Sequence, residues 1–376
     1  MVICIEVSER TKQEMDNLVE IGNYHDYSEA VSVAISNQLV LHRQVSKSGT
    51  VLFPGKAAHS TEPGSKRSTR RINLDDDRST ALEVPALFSS RPLDKRVSEA
   101  APLPDDVFAP TQAVPVDRWI FGQHNKLLPA KVSCRALASL LNEPENGSQG
   151  VLLSKATAEI AEQAVRLGDY LRVLDKKFEL NRDDAYSTAF PYSGTDSEDK
   201  ARLRYAGQFV AAISKQGRLT GFLMDLKLIN RARNKAPRVL LTQAGWDFAQ
   251  LPNALLDSRI HDARPAKLSE DEKTVLLAHI SRHVPAEDFA YRTILGALSE
   301  GADSPERLDT VLKRHLSARA EKPFTDAFLT TQRSGAISRM TDLGLVDRVR
   351  NGIRVTYVVT NRGTLYRQGH AIGVSQ

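Results

Sequence analysis

The chain has 376 residues, 41% of them hydrophobic and 26% charged, with two cysteines, Cys4 and Cys134. That is the composition of soluble domains with proper cores, and the length suits two or three of them. It excludes a disulfide framework and a cysteine-based zinc site. No apolar run reaches the roughly 18–20 residues of a membrane helix and the N-terminus lacks a signal-peptide plan, so a reducing, cytoplasmic setting without a membrane partner is expected.

The net charge of +5 says less than its distribution. Residues 1–44 hold three basic and seven acidic side chains, a net of −4. Residues 200–240 hold ten basic and one acidic (+9), and residues 330–370 hold seven basic and two acidic (+5). Charge of one sign clustered on a folded module points to a polyanionic partner. A solvated basic face with no ligand is the plain alternative for any one window.

At the N-terminus, residues 2–7 alternate, with Ile3, Ile5 and Val7 on one face of a short strand. Ser8 is placed to cap a helix carrying Met15, Leu18, Val19 and Ile21, and Ser28 to cap a second carrying Val31, Ala34, Ile35, Leu39 and Leu41. One strand and two helices cannot close a core alone, so a second copy is required. This plan resembles the ribbon-helix-helix DNA-binding family, whose second helix starts much like Ser28-Glu29-Ala30-Val31. The resemblance implies an intertwined homodimer, with Ile3, Ile5, Val7, Val31 and Ile35 in its interface and a ribbon in the major groove. The outward ribbon residues here are Val2, Cys4 and Glu6, which suit groove reading poorly; dimerisation is the stronger expectation.

Residues 45–115 hold eight of the 17 prolines and no sustained period, and read as a flexible tether. Order resumes near Trp119. Helices are expected over 127–141, 155–177, 201–213 and 218–228, then strands 229–233 and 238–242 around a turn at 234–237. The same order recurs 110–120 residues later. Helices are expected over 269–281, 286–299, 305–320 and 330–343, then strands 345–350 and 353–360 around the hairpin turn Asn351-Gly352.

Each hairpin ends alike, in Leu-Thr-Gln-Ala-Gly (241–245) or Val-Thr-Asn-Arg-Gly (359–363). Helix, strand, turn, strand and this ending resemble the winged helix-turn-helix, and residues 337–346 are similar to the recognition-helix exit of MarR-like regulators. The expected fold is therefore mainly α with small β elements (α+β). It comprises a ribbon-helix-helix module (1–44), a linker (45–115), a winged-helix-like domain with a helical N-terminal part (116–260) and a C-terminal winged-helix domain (268–370).

A recognition helix with Ile337, Met340 and Leu343 inward presents Thr331, Gln332, Arg333, Ser334, Ser338 and Arg339 to base edges. The hairpins would lay Arg348, Arg350 and Arg354, and centrally Arg218, Arg231, Arg233, Lys235 and Arg238, along phosphates. No phosphate loop, dinucleotide fingerprint or catalytic constellation is present, so neither enzyme activity nor a cofactor is expected. His279 and His283 lack the zinc-protease pattern and read as ordinary surface histidines rather than metal ligands, and Cys134 reads as a buried apolar-face residue. The expected function is a sequence-preferring double-stranded DNA-binding protein, a homodimeric transcriptional regulator at the nucleoid. A plasmid-type replication or partition protein shares the layout, and an assembly adaptor binding partner proteins of a nucleic-acid machine is the alternative of a different class.

Overall fold

The computed structural model describes residues 83–89, 100–104, 122–146, 149–195, 197–232, 236–258, 261–317, 325–352 and 354–369. The chain divides into two compact units, 1–76 and 77–376, and the described residues all belong to the second. The expected ribbon-helix-helix module, with Ile3, Ile5, Val7, Val31 and Ile35, lies outside the described residues.

The described part is mainly helical with short sheets. Its first long helix, α1 (Leu128–Leu141), is buried at thirteen of its fourteen positions. A helix covered on all sides must be apolar or must pair its charges, and α1 does both. Lys131 and Arg135, one turn apart, are 0% and 2% exposed. They reach the C-terminal end of α5 (Gln243–Gln250), whose last carbonyls have no partner within their own helix. Lys131 Nζ donates to the carbonyls of Phe248 (2.5 Å) and Leu251 (2.7 Å), and Arg135 Nη2 donates to that of Leu251 (2.8 Å).

The counter-charges come from two further helices, α6 (Ala254–Asp257) and α7 (Glu270–His283). Arg135 makes a two-pronged pair with Asp257 at 2.5 and 2.9 Å, and Lys131 pairs with fully buried Glu272 at 2.7 Å. Burial still wins over Glu272, pulling the Lys131 ammonium down to about 8. Glu272 also closes the capping box with Ser269 that starts α7.

The described elements follow in two runs along the chain. In the first, α1 leads to β1 (Val151–Leu152), α2 (Leu153–Lys177) and α3 (Glu198–Tyr205), which continues as a π-turn (Ala206–Val210). A small hairpin, β2 (Ala212–Ile213) with β3 (Leu219–Thr220), precedes α4 (Phe222–Asp225), β4 (Ile229–Arg231), β5 (Arg238–Leu241) and α5. The sheet order is β1-β5-β4, all antiparallel. In the second half, α8 (Pro285–Ser299), α9 (Pro305–Ser317) and α10 (Asp326–Asp342) precede β6 (Val346–Asn351), β7 (Arg354–Val359) and α11 (Asn361–Arg367). The place of β1 is taken there by the loop after α8, where Tyr357 N–H donates to the Asp303 carbonyl at 2.8 Å.

The likeness extends to single hydrogen bonds. Both α4 and α10 end in the same reversal: Leu228 N–H bonds the Leu223 carbonyl and Leu345 N–H that of Met340, each at 2.9 Å. The residue before each leucine is left-handed, Lys227 at φ 54° and Gly344 at φ 71°. After each hairpin a threonine caps the next helix: Thr242 Oγ1 accepts from Gly245 N–H and donates to the Lys227 carbonyl. Thr360 Oγ1 does the same with Gly363 and Gly344. The sequence-predicted repeat is thus present in the backbone.

Several expectations need correction. The helix expected over 218–228 is only the four-residue α4, because β3 takes its first residues, and 201–213 divides into α3, the π-turn and β2. The β6–β7 pairing persists to Asn351↔Arg354, so Asn351 belongs to β6 rather than to the turn, and Gly352 stands at φ 61°. Parts of the 45–115 stretch are not free tether. Phe88 is fully buried beneath Arg135, and Ala101 N–H bonds the Leu241 carbonyl at 2.9 Å. Among the described residues no helix is long and apolar enough to cross a membrane.

The repeat predicts equal sensitivity at two glycines. A Cβ at Gly245 would stand 2.1 Å from the Leu228 carbonyl oxygen, and one at Gly363 2.2 Å from that of Leu345. Gly245→Ala and Gly363→Ala should each cost about 1–3 kcal/mol by overpacking, read as lowered denaturation midpoints. A neutral result at either would break the equivalence.

Candidate nucleic-acid interface

The exposed surface of α10 is set by two coverings. Leu329, Ala336, Ile337, Met340 and Leu343 face the core. On a second flank the chain's own segment 122–124 lies so close that Gly335 and Gly122 meet backbone to backbone, a Cβ at Gly335 standing 2.5 Å from Gly122 Cα. The buried arc is therefore wider than a core-only reading gives, and it takes in three residues expected to face solvent.

Arg339 is 1% exposed, bonds both Glu287 oxygens at 2.6 and 2.9 Å, and donates to the His124 carbonyl at 2.6 Å. Arg333 is 6% exposed and held by Asp309, Nε to Oδ1 at 2.6 Å. Gln332 is buried too. These three are corrected from base-reading to structural positions. Thr331 and Ser334 do lie on the exposed face, with Thr330 and Thr341 beside them and Ser338 half-exposed. That face carries hydroxyls and no cation between Asp326 and Asp342.

The β6–β7 hairpin also divides. Residues opposite one another in an antiparallel pair share a face, and successive residues alternate. Arg348 (opposite Tyr357) and Arg350 (opposite Val355) share the face of buried Val346 and Tyr357. Both meet one carboxylate in the turn after α2: Arg350 Nη2 lies 2.5 Å from Asp183 Oδ2 and Arg348 Nη1 3.4 Å from Asp183 Oδ1. Arg354 stands on the other face, opposite Asn351, with exposed Val349 and Val358. The three arginines therefore do not line one edge as expected.

Charge compensation separates the two basic windows. Of the seven arginines in 330–370, five pair with carboxylates outside that window. The pairs are Arg333–Asp309, Arg339–Glu287, Arg348–Asp183, Arg350–Asp183 and Arg362–Glu270. In the central window the hairpin arginines bond neutral carbonyls instead. Arg231 Nη1 donates to Gly217 at 2.9 Å and Arg238 Nη1 to Gly150 at 2.5 Å. Exposed Arg218 adjoins Gly217, so the structure brings Arg218 and Arg231 together at the β2–β3 turn, where Lys215 is also exposed. Arg233 and Lys235 lie outside the described residues. A carbonyl neutralises no charge, so among the described residues Arg231 and Arg238 keep theirs, whereas Arg333 and Arg339 of α10 are paired.

Two further expectations concern single residues. His279 is buried, not on the surface: its Nε2 is 2.8 Å from the Leu226 carbonyl and burial lowers its pKa. Cys134 is buried on α1 as expected, its thiol pushed up to about 12 by desolvation, which leaves no thiolate nucleophile. No group of three metal-ligating side chains occurs among the described residues. Sequence reasoning missed Asp183, Asp309 and Glu287, carboxylates in ordinary polar contexts with no local signal of their partners. No family model, curated protein or solved structure matches this chain.

Removing Arg339 leaves Glu287 buried and unpaired. Arg339→Ala should therefore cost about 3–5 kcal/mol of stability, while Ser334→Ala should leave the denaturation midpoint nearly unchanged. Parallel urea titrations decide it; a stable, normally melting Arg339→Ala protein would return that arginine to the surface.

Proposed function

We propose that this chain is a non-enzymatic, sequence-preferring double-stranded DNA-binding protein, a transcriptional regulator built from two winged-helix modules and dimerised through residues 1–44. The observation that carries the reading is the duplicated unit of helix exit, hairpin and threonine cap, each copy bearing arginines on its hairpin. In the first half β1 pairs beside β5 and a short helix, α4, leads into the β4–β5 hairpin, which supports the winged-helix reading.

Within this reading the modules have different tasks. The β2–β3 turn and the β4–β5 hairpin, with Lys215, Arg218, Arg231 and Arg238, supply sequence-independent attraction to phosphates. The hydroxyl face of α10, Thr331 and Ser334 included, offers small groups that donate to or accept from base edges. Two DNA-binding chains joined through residues 1–44 would raise each other's effective concentration on neighbouring half-sites. A replication or partition protein would use the same surfaces.

A second reading, an assembly adaptor, is favoured by one feature. The outer hairpin face with Val349 and Val358, both about half exposed, suits a protein partner better than a phosphate backbone.

Selection of duplexes from a random pool by the full chain tests the proposal; enrichment of a common motif is expected. Arg218→Ala and Arg231→Ala should weaken binding to all sequences alike, each flattening the slope of log K against log salt by about 0.9. Unchanged affinity and slope in both would favour the adaptor. Separately, Ile5→Asp in the full chain should convert a sedimenting dimer to a monomer, since a charge cannot enter the buried face of a paired ribbon; a dimer that survives would place the contact elsewhere.

A further inference from the structure

The convergence of Arg348 and Arg350 on Asp183 has no structural task comparable to the buried pairs of α10. The three side chains are 36%, 55% and 36% exposed, whereas Arg339 and Glu287 are 1% and 0%. An ion pair so open to water adds little to folding. It does dictate what the hairpin offers to an incoming anion.

We infer that Arg348 and Arg350 form a clamp for a backbone phosphate, and that Asp183 occupies it in the free protein and must be displaced when the hairpin engages a duplex. The inference rests on the DNA-binding reading and adds an internal competitor to it. Two observations carry it.

First, the two arginines are two apart on β6, so both project from one face and aim at the two oxygens of a single anion. A phosphodiester presents the same pattern, two acceptor oxygens sharing one negative charge, and can take the carboxylate's place without rearranging the donors. Second, Asp183 is held from its own side. Asn181 Oδ1 accepts from the backbone N–H of Asp183 (2.9 Å) and of Asp184 (3.2 Å), and Lys126 Nζ donates to the Asp183 carbonyl at 3.2 Å. The carboxylate is thus presented by a fixed turn rather than drawn in by the arginines.

The competition makes the C-terminal hairpin a weak phosphate binder at rest, while Arg231 and Arg238 of the central hairpin face carbonyls. Engagement then proceeds by exchange of one anion for another, with no change in the charge of either arginine.

The test uses four full-length proteins: wild type, Asp183→Asn, the double variant Arg348→Ala/Arg350→Ala, and the triple combination. Affinity for a random-sequence DNA duplex is measured by fluorescence anisotropy at several salt concentrations. Asp183→Asn should bind roughly 3- to 10-fold tighter than wild type, a gain of the size set by freeing two exposed pairs. The gain should shrink as salt rises. It should vanish when Asp183→Asn is placed in the double variant. Should Asp183→Asn melt abnormally, Asp183→Ser supplies the same comparison.

Equal or weaker binding by Asp183→Asn, with wild type still binding duplex DNA, overturns the clamp and leaves the DNA reading in place. A gain that persists without both arginines also overturns it, since the effect would then be only the loss of one negative charge. Failure of all four proteins to bind any duplex overturns the DNA reading and the clamp with it.

Discussion

The described fold depends on a helix that brings two cations into its interior. Helix α1 is enclosed on every side, yet carries Lys131 and Arg135 where an all-apolar helix would serve packing as well. They stay because α5 ends against them, and its terminal carbonyls need donors that its own backbone lacks. Having entered, the two cations need carboxylates, and Asp257 and Glu272 supply them from α6 and α7. Glu272 is at once the partner of Lys131 and the capping residue of α7, so one side chain both starts that helix and ties it to α1. Breaking such a pair costs far more than its presence contributes, because it strands a charge in a desolvated site.

The same logic explains why the second basic window contributes less to the outward field than its net charge suggests. Arginine is the residue best suited to reach a carboxylate with two parallel hydrogen bonds, and α10 uses it in that way twice, toward Glu287 and toward Asp309. These arginines fasten α10 to α8 and α9 and present nothing to a ligand. What remains outward on the helix is neutral and small. In the central hairpins Arg231 and Arg238 are bonded to carbonyls, so among the described residues no carboxylate compensates their charges although their side chains are oriented. The two hairpin units therefore differ in electrostatics while sharing their helix-exit turn, threonine cap and glycine contacts.

Much of the architecture was legible in the chain alone. The 3.6-residue period located α1, α2 and α7 to α10 within a few residues, and the shared ending of the two hairpins identified the repeat. Those features are local: helix periodicity, threonine capping and left-handed turn residues are dictated by neighbours a few positions away. The central helix before the hairpin was overestimated for the same reason. Leu219, Phe222, Leu223 and Leu226 have helical spacing, but Leu219 lies in β3, and nothing local to it announces β2 as a partner.

The exposed face of α10 could not be read that way. Helical spacing tells which residues share a side; it does not tell how many sides are covered. Segment 122–124 covers a second flank, and the bond from Arg339 to the His124 carbonyl joins residues 215 apart in the chain. The carboxylate partners are likewise distant, Glu287 by 52 residues and Asp309 by 24. The sequence by itself determined the long helices, the β4–β5 and β6–β7 hairpins and their order, because those arise from short-range backbone preference and periodic burial. The tertiary structure alone decided which arginines face solvent, because compensation of charge is a matter of distance in space, and a sum along the chain contains no such distances.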